Sequence, residues 1–285
     1  MPGHRGQGRK AFRFLRIRGK EFYALGNKKA GWHWAQKSEE GRVNPYFNKK
    51  TVTVVIVSLV CILLLWMLGF GFGNETRLSK NTGAALFGSD VYLGTWFVFM
   101  MLVPIGFGIP YLVVRFVFHE SIQDYGLTLG DVKAGVIVML ILLPAYVLSP
   151  LASAFIGTEK YYTYLTESGF LKPLNVAFHA VSYAAFVFGF EFLFRGFLLF
   201  GLSKGMGENA VGKWTAAAAS AALSALCLIG LPWIFPVSAL LGGVPLGLLN
   251  VRLRSIVYAA FFHWNVGVWS DVWEIIKLNI SRTLW

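Results

Sequence analysis

Charge is scarce in this chain, and acid is scarcer still: only 14% of its 285 residues are Asp, Glu, Lys or Arg, with 14 acids against 26 Lys and Arg and a net charge of +12. At 56% hydrophobic residues there is more apolar surface than one soluble core hides, which excludes an ordinary globular domain. Cysteine is nearly absent. The two that occur, Cys61 and Cys227, sit inside apolar runs, so neither a disulfide framework nor zinc-finger spacing is available. Nothing ahead of residue 51 has the apolar core of a cleavable signal peptide, and the first apolar run is long enough to remain as a span. Long internal repeats and low-complexity tracts are missing as well.

What is there is a series of apolar runs. Helical residues rise about 1.5 Å each, so runs of 18 or more cross a hydrocarbon layer of roughly 30 Å. Seven candidates meet or approach that length: 51–73, 91–118, 134–157, 176–202, 214–231, 234–250 and 255–276. Pro232 and Pro236 fall between the fifth and sixth, so the expectation is an all-α polytopic membrane protein of about seven, within six to eight, transmembrane helices.

Positive charge is unevenly spread. Residues 1–50 hold 13 of the 26 Lys and Arg beside three acids, and the positive-inside rule then places the N-terminus in the cytoplasm. Seven spans put Arg115, Lys133, Lys204, Lys213, Arg252 and Arg254 on the same side. Residues 1–50 are expected to form a basic, aromatic segment (Phe12, Trp32, Trp34, Tyr46) that lies on anionic lipid headgroups, with a protein partner as the alternative. No nucleic-acid fold accompanies the charge, so no nucleic-acid partner is expected. Residues 51–285 make the transmembrane domain. Its loop Asn74 to Asp90 holds Asn74-Glu75-Thr76, read as a chance glycosylation match, and the aromatic loop from Thr158 to Leu174 suits the interface.

One run breaks the apolar pattern. Phe190-Glu191-Phe192-Leu193-Phe194-Arg195-Gly196 sets a carboxylate and a guanidinium in the middle of the fourth span. A charge at that depth costs on the order of 2.5–3.5 kcal/mol by insertion scales and normally faces a bundle interior. Four residues apart, the two share a helix face and partly neutralise one another, so a structural ion pair and a functional site are both open on this evidence. Farther on come small-sided spans (Ala216 to Ala222; Gly242-Gly243-Val244-Pro245-Leu246-Gly247), the basic link Arg252-Leu253-Arg254-Ser255, and Phe262-His263-Trp264.

These residues, in this order, resemble the CPBP family of CAAX-prenyl endopeptidases and bacteriocin-processing or immunity proteins, over about 120–270. Glu191 and Arg195 match the second Glu and the Arg of the family's EExxxR motif, with Phe190 in place of the first Glu, and the run is similar to the single-glutamate form of bacterial members. The resemblance implies a bacterial inner membrane and a helical core of CPBP type. The departures are as informative. The second-motif histidine falls on Leu228, or on Gly230 under a two-residue shift, and Phe235 stands where a later acid is usual. His263 keeps the third motif's histidine, but Gly267 replaces its Asn, and Asn265 points elsewhere on the helix.

In the mechanism that the resemblance implies, a Glu and a His hold and deprotonate water while a second His and the Asn stabilise the oxyanion. Hydrolysis needs both a base within reach and preorganised donors. Of these only Glu191 and His263 survive, too few also for a catalytic zinc, so no metal is expected. His179 is 12 residues before Glu191 and about 120° off its face, which reads as a packed histidine. Cys227, beside Leu228, reads as a small hydrophobe. The expectation is a catalytically impaired pseudo-protease acting as a binding, scaffold or accessory subunit of a membrane assembly, with a membrane-protein partner. No cofactor is specified; a bound lipid or hydrophobic cofactor is left open. The alternative is an active endopeptidase using Glu191 and His263. A transporter is the third, lacking paired broken helices and a repeat.

Overall fold

Seven long helices follow one another in the computed structural model, which describes residues 48–68, 91–154, 173–207 and 209–284. They are α1 (Lys49–Met67), α2 (91–117), α3 (Val132–Ala154), α4 (173–206), α5 (Ala210–Cys227), α6 (Ile234–Leu253) and α7 (Val257–Leu284). The described residues all fall in one compact unit, Val43–Trp285. The basic segment expected over residues 1–50, the Asn74 to Asp90 loop and the aromatic loop from Thr158 to Leu174 lie outside the described residues, except for residues 48–50, 173 and 174.

Each of the seven predicted spans coincides with one helix, and the protein is an all-α polytopic membrane protein. Among the described residues, four stretches are long and apolar enough to cross a membrane: Lys49–Met67, Phe97–Val117, Val176–Met206 and Ile234–Leu253. α4 is the core helix: 89% of its apolar window is buried, against 17–33% for the other three, which leaves their side chains for lipid. Ile56 and Leu63 on α1, Leu140 and Ile141 on α3 and Leu241 on α6 are exposed, apolar and on outer faces.

Local chemistry sets the ends. The Asn48 side chain accepts the Thr51 amide at 2.8 Å and Asn209 accepts that of Gly212 at 2.8 Å, capping α1 and α5. α5 stops at Cys227, four residues short of the expected 231, because Gly230 turns the chain at φ 98° and Pro232 has no amide to continue a helix. α2 carries Pro104 and Pro110 and widens into π-helical turns at Val103–Gly108 and Val113–Val117. A third π-helical turn, Phe192–Leu198, begins immediately after Glu191.

Glycine brings α2 and α4 into backbone contact. A Cβ on Gly189 would collide with the Leu102 carbonyl, and one on Gly106 would lie 2.6 Å from the Gly189 carbonyl oxygen. Gly243 and Gly247 of α6 face Ala221 and Ala217 of α5 in the same manner, as the small-sided runs predict. At one end of the bundle, Glu120 bonds Lys50, Lys204 and Tyr125, Asn48 donates to the Gly205 carbonyl at 3.0 Å, and Ser255 bonds the Thr128 carbonyl. The ends of α1, α2, α4 and α6 are thereby tied to the starts of α3 and α7.

Candidate functional site

Glu191 closes the first stretch of regular helix in α4, immediately before the π-helical turn, and is 1% exposed. Burying a carboxylate there requires partners, and its Oε1 has two: the Arg195 Nη1 donates at 3.2 Å and the His263 Nδ1 lies at 2.8 Å. Glu191 Oε2 and Arg195 Nε have no hydrogen-bond partner among the described residues. Arg195 also lies over the Phe190 ring, 5.4 Å from its centroid. Room for the guanidinium comes from Gly243, whose absent Cβ would stand 3.4 Å from Nη2. The widened turn after Glu191 is held by α5, where the Ser220 hydroxyl donates to the Phe194 carbonyl at 2.7 Å.

The triad of Glu191, Arg195 and His263 borders a cavity of about 330 Å³ enclosed by α4, the C-terminal end of α5, α6 and α7, with Phe99 of α2. Phe190, in the position of the family's first glutamate, lines it and meets the His263 ring edge-on at a centroid distance of 5.8 Å. Leu228 and Phe235 line it too, together with Leu231, Ala239 and Leu246, so the wall contributed by the turn after α5 and by α6 is mostly hydrocarbon; its one hydroxyl, Ser238, donates to the Phe235 carbonyl. Gly267 is explained by packing. A Cβ on it would overlap the ring and hydroxyl of Tyr183, which fills the volume a side chain at 267 would need. Gly230 lies in the turn after α5, and Asn265 donates to the Phe261 carbonyl at 2.8 Å on an exposed face; neither lines the cavity.

His179 requires a correction. Its 120° offset from Glu191 assigns it to packing elsewhere, yet it lines this same cavity and bonds Asp271 of α7 at 2.9 Å. The cavity follows the α4–α7 seam for about three turns, so a residue off the Glu191 face still borders it and finds its own partner farther along α7. Sequence reasoning also passed over Asp271 and Tyr183. The signal for Asp271 was an acid inside the seventh apolar run; Tyr183 carries none, because only the fold sets it against Gly267. Cys227 is buried away from the cavity, and its carbonyl accepts the Trp66 indole N–H at 3.0 Å.

Chemically, the site offers a carboxylate that orients an imidazole, a guanidinium that balances the carboxylate, a phenol, and a second His–Asp pair at the far end. Among the described residues no three His, Cys, Asp or Glu side chains converge, so the donor set does not fit a metal ion.

No curated protein and no solved structure shows significant similarity to the chain. Residues 172–268, which run from the start of α4 into α7 and contain Glu191, Arg195 and His263, match the family model described as Type II CAAX prenyl endopeptidase Rce1-like, and this segment is what the chain shares with that family.

Proposed function

We propose that the protein is a binding or accessory subunit of a membrane assembly, which holds an apolar molecule or peptide segment in the cavity beside Glu191 without hydrolysing it. The observation that carries this reading is the wall of Leu228, Leu231, Phe235 and Ala239. Amide hydrolysis needs a positioned water and donors at the developing oxyanion, and this wall supplies hydrocarbon. Glu191 meanwhile spends Oε1 on Arg195 and His263, and its buried Oε2 meets no donor among the described residues. A partner in the membrane and contact of the basic N-terminal segment with anionic headgroups belong to the same proposal, supported by the charge in residues 1–50.

A second reading, an active endopeptidase, is favoured by the 2.8 Å contact of Glu191 with His263, since a carboxylate-oriented imidazole is a competent base. One experiment separates the two. Protein purified in mild detergent is incubated with a prenylated C-terminal peptide and with a leader peptide, alongside Glu191→Gln and Leu228→His. The binding reading expects no cleavage above the Glu191→Gln control, and a lipid, pigment or protein recovered with the chain at fixed stoichiometry. Cleavage that Glu191→Gln abolishes overturns it.

A further inference from the structure

The direction of the hydrogen bonds in the cavity follows from their partners. Glu191 Oε1 already accepts an N–H from the permanently charged Arg195, so it accepts from His263 as well, and the hydrogen in that contact belongs to Nδ1. The other ring nitrogen, Nε2, then carries a lone pair. Glu191 is 1% exposed while the His263 side chain is 31% exposed, so the ring edge remote from Glu191 opens on the cavity. Phe186, Phe190 and Tyr183 all meet the imidazole edge-to-face, at 82°, 83° and 85°, and hold that orientation.

Two consequences follow for whatever binds. At neutral His263 the cavity presents an acceptor, and a ligand must bring a donor. Beside it stands the Tyr183 ring, 6.5 Å between centroids. Of the charged groups bordering the cavity, Glu191 is balanced by Arg195 and Asp271 is hydrogen-bonded to His179, so the border holds no net positive charge to attract an anionic head. A hydroxyl group brings the donor without charge. At roughly 30 Å³ per water- or methylene-sized group, 330 Å³ takes a chain of about ten to twelve such groups.

We propose that the cavity binds a long-chain alcohol, whose hydroxyl donates to His263 Nε2 while its chain lies against Phe186, Phe190, Leu228 and Phe235. This rests on the reading that the cavity binds rather than hydrolyses. A fatty carboxylate brings no donor to Nε2 and is not expected to compete.

The test uses the full chain in lipid nanodiscs, titrated at pH 8 with 1-dodecanol, dodecyl methyl ether and dodecanoate, with bound ligand counted by native mass spectrometry. Dodecanol is expected to bind about tenfold or more tightly than the ether, which lacks the donor, and His263→Leu is expected to abolish the preference. Equal affinity for alcohol and ether overturns the alcohol assignment and leaves the binding reading standing. Tighter binding of dodecanoate overturns it in favour of a carboxylate. Binding of none of the three also overturns the alcohol assignment, while the binding reading, which admits a peptide segment as well, is decided by what is recovered with the purified chain.

Discussion

Arg195 is the permanent charge in the site, and its removal strands a carboxylate that is 1% exposed. Breaking a buried pair on one side costs about 3–5 kcal/mol, whereas replacing both members with apolar groups is often close to neutral. Arg195→Met is therefore expected to lower stability by about that amount, and Glu191→Leu with Arg195→Met by clearly less than the single change, as read by denaturant unfolding in detergent. A double variant as unstable as the single one would show that the pair holds the fold by shape and not by charge. Gly267 gives a second prediction. Gly267→Ala drives a methyl into Tyr183, an overpacking cost of about 1–3 kcal/mol, and Tyr183→Ala in the same chain is expected to recover most of it, a non-additivity that a double-mutant cycle detects. At this scale the sequence disclosed what is local. Glu191 and Arg195 share a helix face by spacing, and the residues around His263 resemble a known motif. The pairing of His179 with Asp271 was hidden, because which face of α4 meets α7 depends on the crossing of two helices and on no pattern within either.

Elements were legible where hydropathy alone decides them. All seven apolar runs are helices, and the small residues of α5 and α6 do bring those two together. Boundaries and internal defects were less so: α5 ends early at a positive-φ glycine, and the π-helical turns of α2 and α4 arise from proline and from the demands of packing around Glu191, which periodicity does not report. The α2–α4 crossing offers the sharpest test of the packing. Gly189 and Gly106 meet backbone atoms, which no rotamer change relieves, so Gly189→Val is expected to cost more than about 2 kcal/mol or to abolish folding. Gly242, also within a helix, has nothing within 4 Å of a built Cβ. Gly242→Ala is accordingly expected to leave stability unchanged or to raise it by up to about 1 kcal/mol through helix propensity. Thermal unfolding of the two variants side by side reads the contrast, and equal losses would sink the assignment of the crossing.

At the scale of the whole molecule, one end of the bundle gathers cations around a single carboxylate. Lys50 of α1, Lys204 of α4 and the Tyr125 hydroxyl all bond Glu120, just beyond α2, so one acid ties together three helices that are distant in sequence. This end carries Arg252 and Arg254 at the close of α6, and the positive-inside rule predicts that it faces the cytoplasm; cysteines placed at Lys213 and Arg254 are expected to react with an impermeant maleimide only from that side. The Glu120 cluster also sets an acid limit. Burial raises the Glu120 pKa, but hydrogen bonds from Lys50 and Tyr125 and the charges of Lys204 and Lys50 outweigh it and bring the carboxyl below its ordinary value. A carboxyl depressed in the folded state contributes stability that is present above its unfolded pKa, about 4.3, and is lost as pH falls through the folded value. Stability is therefore expected to drop on acidification below about pH 4.3, with no matching loss on the alkaline side from this group. Glu120→Gln should lower stability at pH 7, because Lys50 then loses its carboxylate and Lys204 keeps only its longer contact with Asp124 at 3.9 Å, and should flatten the acid limb. A wild-type curve with no acid limb, or a Glu120→Gln curve that keeps it, would assign the tie between α1, α2 and α4 to packing rather than to this carboxylate.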